Sequence, residues 1–292
     1  MSQWPQITEP ELVKRLSLSD DEFAEFIQGV IAQLPPREFD AAVLTQALGY
    51  PWARPKGSFL LRAETIELLA DLPSEERQRL VRRFASTDAG RLPLLAIGSN
   101  GSPEALERKF AHFSAEDDRT VLVLSGRLHD FDVGAAAQPT MYGAMPATLF
   151  PSPGTAVSAA ILWVTPVQFT QLAWSEITYR LGSLRTRFDV DEVAEGFDQV
   201  LAFVSRFGAF CVGGSPVALA AIPASNRTAT ALSQEQLLDA AAALTLEPGA
   251  NAKTLVQAIF EDMNQLVPKI VAKLHPESLS FASERWTPFK AA

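Results

Sequence analysis

Two stretches of this chain hold residue types that could do chemistry together. The first is Leu94-Leu95-Ala96-Ile97-Gly98-Ser99-Asn100-Gly101-Ser102-Pro103-Glu104, an apolar run ending in a Gly-Ser-Asn-Gly turn. Ser102 at an N-cap and Pro103 at the first helical position predict a helix start, and Glu104 suits the dipole of its first turn. A strand that breaks through glycines into a helix N-terminus leaves backbone N–H groups unpaired, a receptor for a carboxylate or phosphate. Many such turns bind nothing, so the turn alone does not define a site. The second stretch is Phe169-Thr170-Gln171-Leu172-Ala173-Trp174-Ser175-Glu176-Ile177, in which Glu176 has no acidic neighbour for many residues on either side. If Glu176 faces a pocket beside Trp174, loss of solvent raises its pKa toward neutrality, as a proton shuttle requires. A solvent-facing glutamate on a helix is the alternative.

Other chemistries lack their residues. No G-x-S-x-G elbow, no G-x-x-x-x-G-K phosphate loop and no H-E-x-x-H pair occurs. His112, His129 and His275 lie far apart and share no ligand spacing. His129-Asp130-Phe131-Asp132 has metal-ligating types, but an ordinary surface cluster explains it as well. Asn226-Arg227-Thr228 is a glycosylation acceptor in form only. Cys211, the single cysteine, excludes an internal disulfide framework and reads as a buried, inert thiol in an apolar run. A net charge of −9 with basic residues scattered singly argues against nucleic acid as a partner.

The elements that must position these residues follow from periodicity. Residues 9–34 carry apolar side chains near helical spacing up to Pro35-Pro36, residues 39–48 predict a second helix, and 63–84 one or two more. Residues 1–90 therefore read as a helical region, with surface for a protein partner or self-association. From Leu92 short β-branched runs appear at 92–97, 120–124, 147–150, 156–164, 200–203 and 209–212, with Pro151-Ser152-Pro153-Gly154 as a separating turn. Ser233 and Asn251 predict caps for helices at 234–246 and 251–274, and the tail from His275 reads as an extended arm. Residues 207–224 are long and uncharged, but Gly213-Gly214-Ser215-Pro216 divides them into two short strands rather than a membrane span. The start of the chain lacks a signal-peptide pattern, so a cytoplasmic protein with no membrane partner is expected.

The order of motifs from Leu94 to Tyr179 resembles the γ-glutamylcyclotransferase-like superfamily. Its Tyr-Gly-Ser-Asn-Leu loop is matched by Ile97-Gly98-Ser99-Asn100-Gly101, and its Arg-Leu-x-x-Phe strand by Arg127-Leu128-His129-Asp130-Phe131. The Ala-Thr-apolar-apolar-x-x-Pro-Gly segment is matched by Ala147-Thr148-Leu149-Phe150-Pro151-Ser152-Pro153-Gly154. Its Leu-Asp-x-x-Glu element is matched by Leu172-Ala173-Trp174-Ser175-Glu176. The likeness covers roughly the middle third of the chain and extends weakly into the C-terminal helices, to about residue 245. Ile97 stands where the family has tyrosine, Gly101 where it has leucine and Ala173 where it has aspartate. Tyr179 is the candidate for a tyrosine that follows the glutamate.

That resemblance implies an α+β fold: a small mixed β-barrel or sheet over 91–292, with flanking helices and the N-terminal helical region. It implies a lyase or transferase in which Glu176 is the general acid and base. The turn at Ile97, Gly98, Ser99, Asn100 and Gly101, together with Tyr179, would bind a small-molecule γ-glutamyl substrate. Products would be 5-oxoproline and a free amine, with no metal or organic cofactor. Two other readings stay open: hydrolysis or decarboxylation of another small amide or carboxylated nitrogen compound on the same fold, and a non-catalytic binding or assembly module.

Overall fold

The computed structural model describes residues 7–190, 192 and 196–290, so the reading of residues 1–5 lies outside them. Near the N-terminus come α1 (Pro10–Ser17), α2 (Asp20–Ile31) and α3 (Ala41–Leu48), then the hairpin β1 (Phe59–Arg62) and β2 (Thr65–Leu68), then α4 (Ser74–Phe84). The predicted helix over 9–34 is two helices, because Ser19 and Glu22 form a reciprocal capping box that restarts the chain at Asp20. The expected helix beginning at residue 63 is instead part of the β1–β2 hairpin, and β1 pairs with the central sheet. The segment 1–90 thus holds strand as well as helix.

The body follows: β3 (Leu92–Ala96), α5 (Pro103–Phe110), β4 (Thr120–Ala135), β5 (Ala147–Val164), α6 (Pro166–Ser175), β6 (Tyr179–Val190) and β7 (Phe197–Ser205). Strand order β5-β3-β7-β6-β4, with β4 also paired to β5, closes a five-stranded barrel. The turn expected at residues 151–154 does not separate two strands. Pro151 pairs with Phe131 inside one long strand opposite a register shift between His129 and Phe131, an irregularity of the kind that tolerates proline. Strand β6 was not among the expected strands.

Side chains alternate along the strands, and both faces are covered. Leu122, Leu124, Ile161, Trp163, Val200 and Ala202 join one buried cluster with the C-terminal helices. Val121, Val123, Leu162, Val164, Leu201 and Phe203 join another, with Leu12 and Leu16 of α1, Leu106 of α5 and Phe169 of α6. The C-terminal helices are α7 (Gln234–Thr245), α8 (Ala252–Glu261) and α9 (Met263–Leu274), capped by the side chains of Ser233, Asn251 and Asp262. Asp262 breaks the single helix expected over 251–274. Gly213 and Gly214, at φ 60° and 78°, turn a short hairpin between Cys211–Val212 and Ser215–Pro216. Cys211 is half-buried, and burial raises its thiol pKa. The tail adds Trp286–Pro288 to β6. Among the described residues no helix is long and apolar enough to cross a membrane.

Candidate active site

Glu176 sits where α6 ends. Thr165 and Gln168 cap the start of this helix reciprocally and Pro166 opens it, so its first turn is fixed. At the other end Arg15 of α1, only 4% exposed, donates to the carbonyls of Ala173 and Trp174 (3.2 Å to the latter) and lies over the Trp174 ring. A cation on the last carbonyls answers the helix dipole. The Glu176 amide closes the helix by donating to Leu172 O at 3.1 Å.

The Gly-Ser-Asn-Gly turn is a single 3-10 turn over Ser99–Gly101. Gly101 and Ser102 spend their amides on Gly98 O and Ser99 O at 3.0 and 2.9 Å. Ser102 occupies the N-cap of α5, but its side chain makes no capping bond, unlike the expectation. Behind the turn, Arg54 Nη2 donates to the carbonyls of Ile97 (2.7 Å) and Gly98 (2.6 Å). In a trans peptide the N–H points opposite to the C=O, so the amides of Gly98 and Ser99 face away from Arg54. Tyr50 Oη lies against Gly98 and accepts from Ala147 N at 2.8 Å.

Turn and carboxylate meet directly: Asn100 Nδ2 donates to Glu176 Oε1 at 2.8 Å. Asn100 Oδ1 accepts from Lys109 Nζ at 2.6 Å, and Lys109 also donates to Ser175 Oγ at 2.9 Å. This pair of contacts fixes the amide orientation, since only the nitrogen can donate to a carboxylate. Ile97, Gly98, Ser99, Asn100, Glu176 and Tyr179 all line one cavity of about 740 Å³. It opens where β3 and β7 end and β5 and β6 begin. Gly101 is not in that lining; it borders a neighbouring pocket beside the Arg54 guanidinium. Five of the six turn and tyrosine positions read from sequence therefore share a cavity with Glu176.

Burial raises the Glu176 pKa, against the opposing pull of Lys109, the Asn100 hydrogen bond and Arg15. The same burial lowers Lys109, and brings Arg15 down to about 10. All three tyrosines of the chain line this cavity. Burial pushes Tyr50 up to about 12 and holds Tyr142 and Tyr179 well above the ordinary phenol value. Tyr179 Oη donates to Ala147 O at 2.8 Å. Trp52, at φ 66°, packs its ring against Tyr142 with centroids 5.3 Å apart. Of these, Tyr50, Tyr142, Lys109, Arg54 and Arg15 were not found from sequence. The aromatic Gly49-Tyr50-Pro51-Trp52 segment was the one available signal.

The His129-Asp130-Phe131-Asp132 cluster disperses. His129 pairs with Asp189, Asp130 with Arg285, and fully buried Asp132 with Arg227, both of whose bonds are 2.8 Å. Among the described residues no group of three His, Cys, Asp or Glu side chains could hold a metal. No protein-family model matches the chain, and no curated protein matches it significantly. The fold and site together define a closed five-stranded barrel with a half-buried carboxylate and an amide-bearing turn in one cavity.

Proposed function

We propose that this chain is a γ-glutamylcyclotransferase-like enzyme that converts a γ-glutamyl amide to 5-oxoproline and a free amine. The reading rests above all on the Asn100–Glu176 hydrogen bond, which ties the carboxylate to the turn within one cavity. Glu176 takes a proton from the substrate's α-amine, whose nitrogen then bonds to the carbon of the γ-carbonyl. The amide bond between that carbonyl carbon and the leaving nitrogen breaks as Glu176 returns the proton to the departing amine. Nucleophile and electrophile belong to one molecule, so holding it folded supplies much of the acceleration. One carboxylate then suffices if its pKa is raised toward the working pH.

The surrounding residues have parts in this scheme. Tyr50 Oη accepts from the Ala147 amide, which leaves its own proton for the oxygen that gains charge on the γ-carbonyl. Lys109 keeps Asn100 turned toward Glu176. The test is a panel of γ-glutamyl amines and peptides, with 5-oxoproline as the readout. Wild type is expected to release it from at least one member, and Glu176→Gln to slow that release by about 10²–10⁴-fold while remaining folded. Unchanged turnover in Glu176→Gln overturns the assignment.

A further inference from the structure

The cavity is far from uniform. Its polar end holds Glu176, Asn100, Lys109 and the tyrosines; its other end runs between α2 and α9. There the walls are Ile27, Val30 and Ile31 from one helix and Met263, Val267 and Val271 from the other. Of all the residues these two helices give to the lining, Gln28 alone is polar. The cations in the lining are Arg108 and Lys109, both on α5; Lys109 is bonded to Asn100 and Ser175, and Arg108 lies over Trp52.

Two physical points follow. Protein interiors pack to crystal-like density, and apolar side chains that face a void forfeit contacts. A space of about 740 Å³ belongs to the range of drug-sized ligands, roughly 300–1,000 Å³, and a γ-glutamyl head alone leaves its apolar end empty. A peptide leaving group would carry a carboxylate into that end, where no cation among the described lining residues answers it.

We propose, on the basis of the cyclotransferase reading, that the leaving portion of the substrate is an uncharged aliphatic or arylalkyl group on the amide nitrogen. It lies between α2 and α9, with the γ-glutamyl head at Glu176. The reaction stays balanced: the ring C–N bond forms, the amide C–N bond breaks, and Glu176 carries the proton to the apolar amine.

The experiment measures binding of a γ-glutamyl n-alkylamide series, methyl to octyl, to Glu176→Gln by calorimetry, alongside 5-oxoproline release by wild type. Affinity is expected to rise about fourfold per added methylene until the space is filled. Ile27→Gln, at a half-buried position, flattens that slope, and Ala24→Trp, which fills the same end, shortens the chain length at which it stops. Affinity that is independent of chain length, equal slopes in the Ile27 variant, or no binding by any member overturns the inference. Release from the methylamide without a chain-length gain leaves the cyclotransferase reading standing and removes this one. A chain-length gain without any 5-oxoproline removes the cyclotransferase reading, and the leaving-group assignment with it, and leaves only an apolar subsite between α2 and α9.

Discussion

Glu176 carries its charge against the fold's preference, because burial outweighs the help of Lys109, Asn100 and Arg15. Its pKa is raised in the native state, so the folded chain binds more protons than the unfolded one above the ordinary glutamate value of 4.5. Stability from this group is full below that value and is lost as pH rises through the native pKa. Glu176→Gln is therefore expected to raise Tm, by a margin that grows over that window and is flat above it. A gain of about 1 kcal/mol reads as roughly 2–4 °C for a chain of this size class; an equal or lower Tm at neutral pH contradicts the burial argument. Gly98 gives a second prediction. A Cβ there would collide with Tyr50 Oη and lie 3.3 Å from the Ala147 Cβ. Gly98→Val should cost about 1–3 kcal/mol by overpacking and a larger loss of kcat/KM than Ser99→Ala. Equal kcat/KM and Tm in both variants would remove the turn from the site. Glu176 and the turn were legible because an acid isolated in an apolar run and a glycine-broken strand are local patterns. Tyr50 and Lys109 were not, since only tertiary packing carries them to the same cavity.

Arg15 shows how an element far away in sequence sets the site. Its guanidinium closes the C-terminal end of α6 and its charge lowers the Glu176 pKa. Arg15→Met leaves two carbonyls without that donor, a cost of about 1–3 kcal/mol. It also moves the acid limb of the kcat/KM profile to higher pH, because Glu176 loses a stabilising cation. A profile that stays in place while Tm falls would make Arg15 a purely structural clamp. The long hairpin of β4 and β5 was only half legible. Its apolar halves are plain, but the prolines mimic a turn between strands, whereas Pro151 pairs with Phe131 and Pro153 lies in the unpaired stretch 152–155 opposite Asp130. Strand β6 hides for a different reason: Arg180, Arg185 and Arg187 alternate with buried Leu181, Leu184 and Phe188, so no continuous apolar run marks it. Strand β1 is four residues long and shows no period at all.

The whole molecule depends on its N-terminal third for more than decoration. Strand β1 pairs with β4, and Leu12 and Leu16 are buried with Leu94 and Ala96 of β3. Arg206 at the end of β7 donates to Leu18 O at 3.0 Å and Asp20 at 3.1 Å, which anchors the start of α2 beside the cavity. A fragment of residues 91–292 is expected to lose cooperative thermal unfolding, whereas a cooperatively folded, soluble fragment would make the N-terminal region dispensable to the barrel. Periodicity and turn signals gave the mixture of helices and strands, but closure of the barrel depends on pairings between distant strands, such as β4 with β5 and β3 with β7. The central claim is that Glu176 and the Gly98–Asn100 turn act on one small molecule. A crystal structure of Glu176→Gln with a bound γ-glutamyl amide tests it most directly. The account predicts the substrate's α-amine within about 2.6–3.2 Å of the residue-176 side chain, with the γ-carbonyl oxygen facing Tyr50 and the turn. A ligand bound elsewhere, or bound here with its α-amine turned away from residue 176, would contradict it.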